Sequence, residues 1–287
     1  MRNVFEIRDI VRGRIGKAAR ALRGRSPPSD AAVHYARKQL KRARAGLRLL
    51  RDAVPRASYA RENAELRDAA RPLSLVRDAR VMLDTLDRLR SSGARHGAGL
   101  GLRRALRGER LCLRREILQR PENRKRIVRS LALAQHRVGR WRPGGDDRRI
   151  VRAGMKRIYR RGRKALARVE ADPSVENLHE FRKQVKYLGL AMEALESIEF
   201  RHVKKLAKHA QSIADGLGDG HDLAVLREKI ISVSPAVQDV PKALLSRIDQ
   251  RLKKLGKKAV QRGERLYEAR PREFIDRHLQ SEARRST

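Results

Sequence analysis

Polar and apolar positions along the chain follow a nearly all-helical pattern that proline and glycine punctuate. A first helix is predicted from about Arg2 to Arg23, stopping before Ser26-Pro27-Pro28. Ser29-Asp30 then offers N-cap side chains for a second helix that ends near Pro55. A third segment covers about Arg56 to Leu89, with Pro72 expected to kink or break it. A fourth spans Leu100 to Gln119, and Pro121 opens a short successor ending near Trp141. Pro143-Gly144-Gly145 is the best candidate boundary. Beyond it, helices are predicted near Asp147 to Glu170, Ser174 to Ser197, Arg201 to Ser232 and Pro241 to Ala269, with a short final helix after Pro271.

The second half repeats the first. Val33-His34-Tyr35-Ala36-Arg37-Lys38-Gln39-Leu40-Lys41 aligns without gaps with Leu178-His179-Glu180-Phe181-Arg182-Lys183-Gln184-Val185-Lys186, and Pro28-Ser29 matches Pro173-Ser174 at the same offset of 145. Leu73 to Val81 aligns with Leu217 to Val225 at an offset of 144, which sets Arg77-Asp78 against His221-Asp222. Pro121 corresponds to Pro271. Matches in one order at a nearly constant offset mean two copies of one helical unit, residues 1–142 and 143–287.

On a helix advancing about 100° per residue, His34, Arg37, Lys38, Lys41, Arg44 and Arg48 share one face. Leu40, Ala43, Leu47, Leu50 and Val54 form the opposite, core-facing stripe. The second copy repeats the basic face with His179, Arg182, Lys183 and Lys186, and the apolar one with Phe181, Val185, Leu188, Met192 and Leu195. The plain alternative is an ordinary solvated face. Against it, residues 34 to 48 carry almost no acidic partner at helical spacing, so their cations repel one another. The His-x-x-Arg-Lys-Gln-x-x-Lys order also occurs twice, and solvation does not require an order.

Composition sharpens the picture. The 287 residues hold 71 Lys and Arg against 33 Asp and Glu, a formal charge of +38, while aromatics are 3% and hydrophobic types 40%. Scarce aromatics with abundant Leu, Ala and Arg favour helices over sheets, and the apolar share supports a core. Such an excess of charge calls for an anionic partner, and plentiful Arg suits bidentate phosphate contacts, although a GC-rich genome would also enrich Arg. No stretch approaches a membrane span, and the charged N-terminus lacks a signal peptide's apolar middle, so a cytoplasmic protein without membrane insertion is expected. Cys112 is the single cysteine, which rules out an intrachain disulfide and a thiolate-rich zinc site; between Leu111 and Leu113 it reads as a core or half-buried residue.

Two basic stripes facing each other would make a cleft of uniform positive potential whose natural ligand is a long flexible anion with closely spaced charges. Arg77 and Lys208 are expected to add to it from neighbouring helices. The histidines would add charge as pH falls.

These segments resemble the CHAD family, the conserved histidine α-helical domain. His34, Arg37, Lys41, Arg42 and Arg44 match its first helix signature, and His179, Arg182 and Lys186 its second. Leu75 to Val81 resembles its Arg-Asp segment, and Gln211 to Leu223 its Leu-Gly-x-x-x-Asp segment. The resemblance covers almost the whole chain as one domain. It departs at Gly189-Leu190, where the family commonly has Arg-Tyr, with Glu193 following; the second basic stripe is shorter for it. His221 stands where Asn is more frequent. The resemblance implies an all-α fold of two pseudo-symmetric four-helix bundles. It also implies binding of inorganic polyphosphate by basic residues around their interface, and association with polyphosphate granules. Arg42, at the edge of the wheel, joins the candidate site on family grounds.

Two other readings compete. His179, His221-Asp222 and Asp249 fall in the order used by helical metal-dependent phosphohydrolases, yet Arg182, Lys183 and Lys186 would oppose a divalent cation at His179, and Asp249 is flanked by Arg247 and Arg251. General nucleic-acid binding is permitted by charge and expected at low salt. It lacks the aromatics interleaved with cations that base stacking needs. Asp215-Gly216-Leu217-Gly218-Asp219-Gly220 lacks the closing Glu of a calcium loop and reads as a small-residue turn or a close helix approach. Asp78 and Asp222 are expected to anchor Arg side chains or cap helices. A non-enzymatic binder with neither cofactor nor metal is the expectation.

Overall fold

The computed structural model describes residues 3–91, 100–196, 203–233 and 242–279, and within them it is all-helical. The elements are α1 (Asn3–Leu22), α2 (Asp30–Leu49), α3 (Arg56–Ser91), α4 (Leu100–Arg114), α5 (Pro121–Gly139), α6 (Asp147–Ala171), α7 (Val175–Glu196), α8 (Lys204–Val233), α9 (Lys242–Leu266) and α10 (Pro271–His278). A 3-10 turn extends α2 through Asp52, and a π turn extends α4 through Gln119. The predicted starts at Arg201 and Pro241 and the predicted stop at Ser197 lie outside the described residues.

The starts follow from capping chemistry. Ser29 Oγ accepts the Ala32 backbone N–H at 3.1 Å, and Ser174 Oγ accepts that of Asn177 at 3.4 Å, so the aligned Pro-Ser pairs perform the same task ahead of α2 and α7. Asp146 caps α6 by accepting from Arg148 and Arg149. Prolines stand at the first position of α5 and α10, where a missing N–H costs nothing.

Four expectations change. Pro72 does not end its helix: α3 runs 36 residues through it. Leu66 and Ala69 before the proline, and Leu73 and Val76 after it, are all buried, so packing on both sides outweighs the lost hydrogen bond. The Gly-rich segment at 216–220 is likewise interior to α8, not a turn. The helix opened by Pro121 is 19 residues long, whereas that opened by Pro271 is 8, so only the second is short. Cys112 is exposed, the other face of amphipathic α4 having taken the buried Leu102 and Leu106.

Both sequence halves contribute to each apolar cluster. The main one joins α1, α2, the first part of α3, α5, α6, α7 and α10, with Ile7, Leu40, Leu47, Tyr159, Phe181 and Leu188 fully buried. A smaller one joins Leu83 and Leu86 of α3, Leu106 of α4, Leu226 and Ile230 of α8, and Ile248 of α9. Across the Pro143–Gly145 boundary, α6 passes so close to the end of α2 that a Cβ at Gly154 would lie 2.7 Å from the Leu49 carbonyl oxygen. Only glycine fits there.

At the centre, α2 packs on α7 and α3 on α8. Two contacts flank the α2–α7 junction. Arg42 Nε donates to Glu193 at 3.1 Å, and the Arg48 guanidinium carbon lies 3.6 Å from the centroid of the Tyr187 ring. The offset of 145 that aligns the histidine segments relates Arg42 to Tyr187 and Arg48 to Glu193. Exchanging the halves therefore exchanges these two contacts.

Candidate functional site: a cationic cleft at the helix junction

Helices α2, α3, α7 and α8 enclose a cleft of about 880 Å³. Its α2 wall carries His34, Arg37, Lys38, Lys41 and Arg42, and its α7 wall carries His179, Arg182 and Lys186. Arg77 enters from α3 and Lys208 from α8. His34 and His179 thus face one shared groove, and most of the side chains named from the helical wheel and the repeat come together in it.

Arg44, Arg48 and Lys183 do not. Arg44 donates to Asn63 Oδ1 at 3.2 Å, Arg48 covers the Tyr187 ring, and Lys183 pairs with Glu180. A wheel gives angle but not position along the axis. Arg48 lies about 10 Å further along α2 than Lys41, and Lys183 is rotated by about 100° from Arg182.

Each half anchors one arginine in the cleft. Arg37 Nε donates to Ser74 Oγ at 3.2 Å and its Nη2 to Asp78 Oδ1 at 3.2 Å, while the Ser74 hydroxyl donates to the Ala70 carbonyl at 3.0 Å. In the second half Gly218 takes the place of Ser74, and Arg182 Nε reaches the Ala214 carbonyl directly at 3.4 Å. A Cβ at Gly218 would meet the Arg182 Nη2 at 3.1 Å, which gives the glycine run its meaning as a close approach. The histidines differ too. His179 and His221 lie Nδ1 to Nδ1 at 3.3 Å with ring centroids 4.4 Å apart, so one ring donates and the other accepts, and that contact needs at least one neutral imidazole.

The field of the cleft disfavours its own cations. Burial, then the nearby Lys186, Arg37 and Arg182, hold the Lys41 amine down at about 7. Burial and Arg182 lower Lys186, and burial lowers Arg37 despite the opposing pull of Asp78. Burial, then His179, Arg182 and Lys41, press His221 to about 4. His34 and His179 are lowered by the same pair of causes, burial and neighbouring cations. Burial raises Asp222 in spite of Arg182.

The potential is not uniformly positive, as the facing stripes alone would have it. Asp78, Glu193, Glu196, Asp215 and Asp222 also line the cleft. Three of them hold neighbouring cations: Asp78 takes Arg37, Glu193 takes Arg42 and Glu196 takes Lys204. Lys38, Lys41, Arg77, Lys186 and Lys208 have no carboxylate within ion-pair distance among the described residues. Sequence reasoning missed Lys204 and Gln211, which line the cleft from α8. Their signal was available: both share a helix face with Lys208 at spacings of four and three residues. Of the phosphohydrolase set, Asp249 pairs with Arg227 at 2.6 Å outside the cleft. No group of three or more His, Cys, Asp or Glu side chains arranged for a metal ion occurs among the described residues.

The class is therefore an all-helical protein with a cationic cleft where α2, α3, α7 and α8 meet. A family model for the CHAD domain matches residues 10–230, and the chain belongs to the CHAD family. The fold is similar to that in the crystal structure of the CHAD domain from the plant Ricinus communis, with a TM-score of 0.64 and 17% identity over 93% of this chain and 91% of that one. No curated protein matches the sequence. No described helix is long and apolar enough to cross a membrane.

Proposed function

We propose that this CHAD protein binds inorganic polyphosphate in the cleft between α2, α3, α7 and α8, without catalysing its turnover. The observation that carries this reading is the convergence of Arg37 and Lys41 from α2 with Arg182 and Lys186 from α7 on one cleft, which leaves Lys41 buried among cations. An amine held at about 7 by burial and by neighbouring cations marks a site with a deficit of negative charge. A phosphate polymer supplies that charge at close, regular spacing, and one chain can satisfy Lys41, Lys186, Arg37 and Arg182 together. Releasing its counterions adds a salt-dependent driving force.

Nucleic acid would meet the same cations, but among the described residues those lining the cleft include no Phe, Tyr or Trp on which a base could stack. Trp141 is buried in the main core. A cytoplasmic location and association with polyphosphate granules follow from this reading and are part of it. So is the absence of catalysis: the cleft offers cations to hold phosphates, and its carboxylates are largely engaged with them.

The deciding experiment titrates long-chain polyphosphate, duplex DNA, single-stranded RNA and ATP against the protein at physiological salt. Polyphosphate should bind well ahead of the other three. DNA or RNA binding as tightly as polyphosphate would overturn the reading, and metal-dependent phosphate release that disappears in Asp222→Asn would replace it with a hydrolytic one.

A further inference from the structure

The residues that fall outside the cleft regroup. Arg48 of α2 and Lys183 of α7 meet Arg161, Lys164 and Arg168 of α6 around a separate groove of about 330 Å³. The α6 residues lie at helical spacing on one exposed face, with Leu166 and Val169 turned into the core behind them. Glu180 is the groove's one carboxylate, and it is engaged by Lys183 and by Gln184 Nε2 at 2.5 Å. Arg161, Lys164 and Arg168 have no ion pair among the described residues. The groove thus carries a surplus of cations for which the described residues supply no partner.

Its geometry is also partly set in advance. The Arg48 guanidinium lies over the Tyr187 ring and is tethered through Nη1 to the Arg44 carbonyl at 2.9 Å. That posture costs rotamer freedom before any ligand arrives, and it leaves Nε and Nη2 without a protein acceptor among the described residues. Burial disfavours the charge on Arg48, opposed by Tyr187 and reinforced by the nearby Arg44 and Arg161. Because Arg48 already occupies the face of the buried Tyr187, no ring is open to stack a nucleobase. The chemistry offered is phosphate recognition alone.

We infer that this α2–α6–α7 groove is a second condensed-phosphate site, which holds a short run of phosphates independently of the cleft. The inference rests on the reading of the protein as a polyphosphate binder. The two sites share α2 and α7, with Arg48 about two helical turns from Lys41, so a long polymer engaging both would gain avidity over a short one.

The test is calorimetric titration of the full chain with inorganic tripolyphosphate, in parallel with long-chain polyphosphate. The wild type should show two tripolyphosphate sites per chain. Arg161→Glu with Arg168→Glu should remove one site and leave the other unchanged; both side chains are exposed, and circular dichroism checks that helicity is retained. Lys164→Ala with Arg168→Ala, a milder change, should weaken the same site at least 5-fold. Lys41→Glu with Lys186→Glu should remove the other. A single wild-type site that vanishes in the Lys41/Lys186 variant and is untouched by the α6 variants overturns the groove while leaving the cleft reading intact. A single site that vanishes only in the α6 variants does the reverse, and no binding of either phosphate overturns both.

Discussion

The two halves of the cleft hold corresponding arginines by different means. Arg37 reaches the main chain of α3 through the Ser74 hydroxyl and is clamped by Asp78; Arg182, facing Gly218, drops directly onto the Ala214 carbonyl of α8. Beside them, the first half sets Arg77 near His34, and the second sets His221 against His179. Further along, Arg44 and Arg48 of α2 correspond to Gly189 and Glu193 of α7. Gly189 admits α8, since a Cβ there would already lie 3.3 Å from that of Ala210, and Glu193 neutralises Arg42. The first half thus sets an arginine where the second sets a histidine, and groups whose charge depends on pH stand on both walls, Lys41 and His34 on one and His179 and His221 on the other. The second half is the closer packed at Gly189 and Gly218. Segments aligned in the sequence thus meet their neighbours in the fold by different contacts.

The largest expected effect comes from opposing both walls at once. Lys41→Glu with Lys186→Glu should weaken long-chain polyphosphate binding by about 100-fold or more, as loss and reversal of two charge-assisted contacts implies. An effect under about 5-fold, by the same contact energies, would mean that these walls do not grip the polymer.

Lys41→Met separates binding from folding. The amine is suppressed in the folded chain, so its charge costs stability as pH falls from the unfolded lysine's range toward 7. Removing it should raise the melting temperature at pH 7 by a few degrees while reducing polyphosphate affinity about 10-fold. A lower melting temperature would contradict the crowding of cations on which the proposed function rests.

The pH dependence has a definite sign. In the free protein Lys41 titrates near 7 and His221 near 4; a bound polyanion raises both, so binding takes up protons. Affinity should rise several-fold from pH 8.5 to pH 6 and continue to rise below that as the histidines charge. Calorimetry in buffers of different ionisation enthalpy reads the proton uptake directly, and proton release would reverse the argument. Without ligand the histidines act oppositely. They are lowered on folding, so their contribution to stability is full above about 6.5 and declines as pH falls toward 4.

Smaller changes convert one half toward the other. His221→Arg copies Arg77 into the second wall and should tighten binding about 3-fold at pH 7 while flattening the dependence below pH 6. Gly218→Ser copies Ser74, but its Cβ crowds the Arg182 guanidinium, so an effect within about 2-fold is expected, with Arg182 moved from carbonyl to hydroxyl. Affinity and a crystal structure of the variant would check both parts.

Much of this was legible in the linear pattern. The caps at Ser29 and Ser174, the stops before the prolines and the paired basic faces depend on neighbours within one or two turns, and they stand where periodicity predicts them. The family was legible for the same reason, because its signatures are short and local. The continuity of α3 through Pro72 was not, since local rules charge the lost hydrogen bond without crediting the burial of Leu73 and Val76 beyond it. Nor was the departure of Arg44, Arg48 and Lys183 from the cleft, or the entry of five carboxylates into it.

The chain's own order of residues determined that it folds as helices, that each bears a cationic and an apolar face, and that the plan is made twice. These follow from side-chain spacing on a repeating backbone. The tertiary structure alone decided which cations confront one another and which are answered by Asp78, Glu193 or Glu196. Electrostatic energy depends on distance through space, and residues like Lys41 and Lys186 become neighbours only when helices far apart in the chain cross.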